Sequence, residues 1–188
     1  MRRLLIAGIG NVLLGDDGVG PFVIKVLESQ YDFAESVELA DLGTPGFDLL
    51  VHLSGADAVI LVDSAKFGGR AGDIRLFRKE EILRTPAAAR IDPHSPALRE
   101  SLSQLELMGT MPGELLLIGI QGSRFEPGSP LSTPVRQCIP LVIDAVRREL
   151  YLLDTRCEPK ASASIPAVWW DPIIEQRKGR ECACYTSD

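Results

Sequence analysis

Histidine is nearly missing from this chain: 188 residues hold two, His52 and His94. Any chemistry that needs an imidazole base or ligand has only those two addresses. Positive charge is also in deficit, with 20 Lys and Arg against 26 Asp and Glu and a formal net charge of −6. That balance argues against non-specific nucleic-acid and anionic-membrane binding, which depend on clustered cations. No stretch approaches the ~18 consecutive apolar residues of a membrane span, and the apolar run starting at Leu4 meets glycine at position 8, so neither a span nor a signal peptide is expected. Cysteine is sparse and late, at positions 138, 157, 182 and 184. This usage fits a reducing cytoplasm, with Cys138 as a buried free thiol on a helix stripe. Cys182-Ala183-Cys184 has no second pair nearby and is too thin for a metal site. Ser64 and Ser95 lack a glycine-flanked elbow, which removes the usual setting of a serine nucleophile. No internal repeat is present.

What the chain does have is an apolar run from Leu4 that breaks into glycines at Gly8 and delivers two adjacent acids, Asp16 and Asp17. The pattern predicts a buried strand over Leu4–Gly8, a tight loop, and a helix with Val19, Phe22, Val23, Val26 and Leu27 on its inner face, running to about Gln30. Val37–Asp41 reads as a second strand, closed by the turn Leu42-Gly43-Thr44-Pro45-Gly46. Phe47–Leu53 reads as a short helix. Ala58-Val59-Ile60-Leu61-Val62 is a continuous aliphatic strand of the kind covered on both faces in parallel sheets, and it ends at Asp63. Asp73–Phe77 alternates like a more exposed strand, an antiparallel or edge exception. His94 precedes a helix entered through Ser95 and Pro96 with Leu98, Leu102 and Leu105 inward. Glu114–Gln121 supplies another central strand, and Thr133-Pro134 opens a last helix striped by Val135, Cys138, Ile139, Val142, Ile143, Val146 and Leu150, with Pro140 inside it. Short connections between alternating strands and helices predict a single three-layer α/β domain over residues 1–153, a mostly parallel twisted sheet with helices on both faces in the manner of phosphorylase/hydrolase-like folds. Arg156–Ser164 reads as linker, and residues 154–188 as a tail that is either disordered or docked through Trp169 and Trp170.

Ligand sites in open α/β sheets lie at the carboxyl ends of the strands, where the acids of this chain collect. A dinucleotide reading of Gly8-Ile9-Gly10 stops at Leu13, where the third glycine should stand, and the acid pair would oppose a pyrophosphate. Of Asp16 and Asp17, one carboxylate can cap the following helix while the other faces the cleft. An ionised Asp63 at the end of an apolar strand must be solvated, hydrogen-bonded or paired with a cation. With His94, these acids compose an N/O set suited to Zn²⁺, Ni²⁺ or similar ions, whereas His52 reads as a surface residue.

The blocks Gly8-Ile9-Gly10-Asn11-Val12-Leu13-Leu14-Gly15-Asp16-Asp17-Gly18-Val19-Gly20, Asp41-Leu42-Gly43-Thr44-Pro45-Gly46, Asp63, Pro93-His94 and Leu117-Ile118-Gly119-Ile120-Gln121 closely resemble the [NiFe]-hydrogenase maturation endopeptidases, in order, over residues 1 to about 150. The resemblance implies a compact α/β protease, expected to be a monomer, that removes a C-terminal peptide from the hydrogenase large-subunit precursor once nickel has been inserted. It implies that Asp17, Asp63 and His94 correspond to the nickel-recognition site and Asp41 to the acid of the family's Asp-Gly-Gly/Ser-type loop. Leu42 stands where some members have Gly. Asp17 and Asp41 are then the candidate catalytic acids, and Ni²⁺ arrives on the substrate rather than as a resident cofactor. The rival readings are a non-catalytic nickel-binding assembly factor and the dinucleotide-binding protein already described.

Overall fold

The computed structural model describes residues 2–84, 95–164, 166, 168 and 170. Five strands form the central sheet: β1 (Leu4–Ile9), β3 (Val37–Gly43), β4 (Ala58–Ala65), β5 (Ile74–Arg78) and β6 (Glu114–Gln121), in the spatial order β3-β1-β4-β6-β5. The first two pairings and β4–β6 are parallel, whereas β5 runs antiparallel along β6 at the edge. The aliphatic runs of β1, β4 and β6 bury nearly every side chain, as strands covered on both faces must.

Side chains alternate across the sheet and sort the core into two halves. On one face Leu4, Ile6, Ile60, Val62, Leu116 and Ile118 meet α1 (Val19–Gln30) and α5 (Thr133–Leu152). On the other, Leu5, Ala7, Val59, Leu61, Leu115 and Leu117 meet α2 (Leu49–Leu53), α3 (Lys79–Arg84) and α4 (Ser95–Met108). The expected three-layer α/β architecture, the antiparallel exception at β5 and the α5 stripe all appear. A bidentate pair from Arg78 to the buried Glu149, at 2.5 and 2.8 Å, ties edge strand β5 to α5. Glu149 beside it holds the Arg78 guanidinium above its ordinary range.

From β1 the chain moves through α1 to β3 on one side, then through α2 back past β1 to β4 on the other. Because parallel crossovers are right-handed, that reversal puts α1 and α2 on opposite faces. It also makes the carboxyl ends of β1 and β4 the switch point, where the crevice of an α/β fold forms and ligands bind.

One expectation fails. Arg156–Ser164 is not a linker: β7 (Cys157–Pro159) pairs antiparallel with β2 (Tyr31–Phe33), a short strand at the end of α1 that the sequence reading did not anticipate. Lys160 then donates its backbone N–H to the Gln30 carbonyl at 2.8 Å and its Nζ to the Glu28 carbonyl at 2.7 Å. Further on, Val168 is buried in the α1/α5 half of the core and Trp170 packs against it. Trp169 and the Cys182-Ala183-Cys184 segment lie outside the described residues.

Candidate active site at the carboxyl ends of β1 and β4

The glycines after β1 serve close packing. Gly10 holds φ +136°, and a Cβ there would fall 1.8 Å from the Asp17 carbonyl oxygen. At Gly20 a Cβ would meet the carbonyl oxygens of Ile9 and Val62 at 2.3 and 2.4 Å. Removing both side chains lets α1 press its first turn directly onto the ends of β1 and β4, and the 3-10 turn Gly15–Gly18 just before it is drawn into the crevice. This accounts for the glycine loop without a nucleotide.

The two acids in that turn have different fates. Asp16 is fully buried, at 0% exposure. Its Oδ1 accepts the Ser132 N–H at 2.6 Å, and its Oδ2 accepts the Ser123 N–H at 2.8 Å, the Arg124 N–H at 2.9 Å and the Ser132 hydroxyl at 2.9 Å. Its own N–H donates to the Arg124 carbonyl at 2.7 Å. The expectation that one acid caps the helix after it is therefore corrected: neither the 3-10 turn nor α1 has a side-chain cap. Asp16 instead serves the entrance of α5, whose N-cap is Ser132, and places a negative charge where that helix's dipole favours one. It pins the β6–α5 loop over the β1 loop.

Asp17 is 5% exposed and makes two bonds among the described residues, Oδ2 accepting the Asn11 N–H at 2.8 Å and Oδ1 the Ser64 hydroxyl at 3.0 Å. Asp63, 1% exposed near the end of β4, accepts the Ser64 N–H on Oδ1 at 2.7 Å. Ser64 thus touches both acids. A carboxylate has ~four lone-pair positions, and these bonds leave Asp17 with capacity for a further donor or an ion. Asp41 lies one strand over, in β3 opposite Gly8, exposed, with Oδ1 accepting the Gly43 N–H at 3.0 Å.

His94 lies outside the described residues; α4 begins at the next position, Ser95, on the Asp63 side of the sheet. Among the described residues no group of three or more His, Cys, Asp and Glu is placed to hold a metal ion. His52 is exposed on α2, where the sequence put it. Cys138 is a buried free thiol on α5, and burial pushes its pKa up to about 11.

The family model for hydrogenase maturation proteases (HycI) matches residues 21–149. The chain belongs to the hydrogenase maturation protease family. The hydrogenase expression/formation protein HoxM of Azotobacter vinelandii is 37% identical over 135 residues, which cover 71% of this chain and 65% of HoxM, so the chain spans just under two thirds of that relative. The hydrogenase 2 maturation protease of Escherichia coli K12 is 33% identical over 147 residues, covering 77% and 88% of the two chains. Among solved structures, the hydrogenase maturating endopeptidase HybD of E. coli superposes with a TM-score of 0.78 at 30% identity, over 85% of this chain and 98% of that one. A maturation-protease fold with a mixed five-stranded sheet is common to both structures.

Sequence reasoning missed Ser64 as a partner of the acids, having weighed it only as a nucleophile. The signal was available: a hydroxyl next to an acid at the end of an apolar strand is buried and must find acceptors. The Ser123, Arg124 and Ser132 donors to Asp16 had no local signal at all.

Proposed function

We propose that this protein is an endopeptidase that removes the C-terminal peptide of a [NiFe]-hydrogenase large-subunit precursor after nickel insertion, acting in the cytoplasm as a monomer. Family membership supports a maturation protease. The observation that carries the site is the pair of buried carboxylates, Asp17 and Asp63, joined by Ser64 at the switch point.

Nickel enters this reading as part of the substrate. Asp17 and Asp63 supply oxygen donors and His94 a nitrogen, an incomplete set of mixed hardness that leaves positions for ligands the precursor already provides. Such a site reads the ion without owning it. When held there, the ion would supply Lewis acidity and a fixed position for the precursor. Peptide hydrolysis also needs a base to take a proton from water as its oxygen adds to the scissile carbonyl, and an acid to return that proton to the departing amine. Asp41, exposed and adjoining β1, is the carboxylate open to water and is assigned that role, while Asp17 both contacts the ion and polarises the site.

Incubation of the purified protein with nickel-loaded and nickel-free precursor tests the reading. Shortening of the loaded form alone is expected. Shortening of both forms overturns nickel recognition, and elemental analysis that finds a tightly held metal in the isolated, active protein overturns the assignment of the ion to the substrate. Nickel binding or transfer without cleavage would make it a non-catalytic assembly factor.

A further inference from the structure

Ser64 stands at the end of β4, and strand alternation gives it a position between two halves of the site. Asp63 belongs with Leu61 and Val59, whose side chains face α2 and α4, whereas Ser64 belongs with Val62 and Ile60, facing α1. The two acids therefore reach the crevice from opposite sides of the strand line. Ser64, at this position of β4, touches both with different groups: its backbone N–H holds Asp63 Oδ1 at 2.7 Å and its hydroxyl holds Asp17 Oδ1 at 3.0 Å. At 1% exposure the hydroxyl is dry, so the bond to the carboxylate is not exchanged for one to water.

We propose that Ser64 is a positioning residue that sets the Asp17 carboxylate relative to Asp63 through its hydroxyl. This rests on the protease reading above and adds a residue to it. Asp17 comes from a 3-10 turn with no side-chain cap of its own. Among the described residues its orientation is set by two donors, the Asn11 N–H and the Ser64 hydroxyl. The Asn11 bond fixes Oδ2 to the β1 loop, on the same stretch of chain as Asp17 itself. The Ser64 bond is the one that ties Asp17 to β4, and so to Asp63. With the hydroxyl gone, the carboxylate can rotate about its remaining bond, and the spacing of the acid pair is no longer set. The backbone bond to Asp63 survives any substitution except proline, so the two functions of this residue can be separated by mutation.

The test compares wild type, Ser64→Ala and Ser64→Thr for cleavage of nickel-loaded precursor, with kcat and KM measured separately and melting followed on the same preparations. A hydrogen bond to a charged group corresponds to roughly a tenfold to hundredfold effect. The expected result is a kcat reduced by about that factor in Ser64→Ala, KM and melting temperature little changed, and recovery of most of kcat in Ser64→Thr, which keeps the hydroxyl. A Ser64→Ala enzyme with wild-type kcat overturns the inference, while wild-type cleavage leaves the protease reading intact. A loss that tracks a fall in melting temperature and is not recovered by threonine also overturns it, because the hydroxyl would then serve only the fold. A wild-type protein that leaves the loaded precursor whole overturns the protease reading itself, and the assignment of Ser64 with it.

Discussion

Asp16 should behave as a structural acid although it adjoins Asp17, the acid proposed to act in the site, and Asp16→Ala separates the two roles. The substitution takes away the acceptor of three backbone N–H groups, those of Ser123, Arg124 and Ser132, and of the Ser132 hydroxyl. A buried donor left without a partner costs about 1–3 kcal/mol. Ser132 is buried and bears this in full, whereas Ser123 and Arg124 are exposed residues whose amides can turn toward water once the loop loosens. The sum is about 3–5 kcal/mol, a large fraction of the ~5–15 kcal/mol that holds a domain together. At ~2–4 °C per kcal/mol for a chain of this size, melting should fall by roughly 6–20 °C. Thermal denaturation followed by circular dichroism measures this, with Asp48→Ala, an exposed acid, as the control expected to stay within ~0.5 kcal/mol of wild type. Well below its melting point Asp16→Ala should still cleave precursor. A fall under about 2 °C, or a stable protein with no cleavage, would refute the reasoning, since Asp16 would then not be the clamp of the β6–α5 loop.

Asp17→Asn should show the opposite profile: the side chain keeps its size and can still accept from Asn11, so melting should move little, while processing falls by about 10²–10⁴-fold as expected for a residue of the reacting site; gel-resolved cleavage on a folded sample checks it. Burial raises the Cys138 thiol from its ordinary 9.0 to about 11, so the folded state holds this proton more tightly than the unfolded one. The resulting stability is complete below pH 9 and is lost as pH rises from 9 towards 11. Denaturant melts at pH 7, 9 and 10.5 should show a decline that is shallower in Cys138→Ala. Truncation after Leu153 removes the β2–β7 pair and exposes the surface covered by Val168, whose burial alone is worth about 1.5–3 kcal/mol. The shortened protein should melt lower yet still cleave at reduced temperature, because Asp17, Asp41, Asp63 and His94 all precede the cut.

The central sheet was legible because its signals are local. β1, β4 and β6 are aliphatic runs that only burial on both faces explains, and the α5 stripe repeats at three and four residues without interruption through Pro140. β2 and β7 were not, since three residues carry no period and their pairing joins Tyr31 to Pro159 across most of the chain. The six-residue α3 was missed for the same reason of length. At the site, the acids could be placed by strand ends alone. Their division of labour could not: adjacent carboxylates before a helix look like a cap for that helix, and nothing near Asp16 tells of the amides at Ser123, Arg124 and Ser132 that fold back onto it. Ser64 has no nucleophile signature in the sequence, and its role follows instead from being a buried hydroxyl that requires an acceptor.

The protease reading requires hydrolysis of one peptide bond near the C-terminus of a nickel-loaded precursor, dependent on the acids at the ends of β1 and β4. Intact-mass spectrometry of the precursor before and after incubation with the wild-type protein tests it most directly. The account predicts two products, a shortened large subunit and a released C-terminal peptide, whose masses sum to that of the precursor plus one water, and no products with Asp17→Asn. A precursor of unchanged mass after incubation with folded wild-type protein, or equal cleavage by Asp17→Asn, would contradict it.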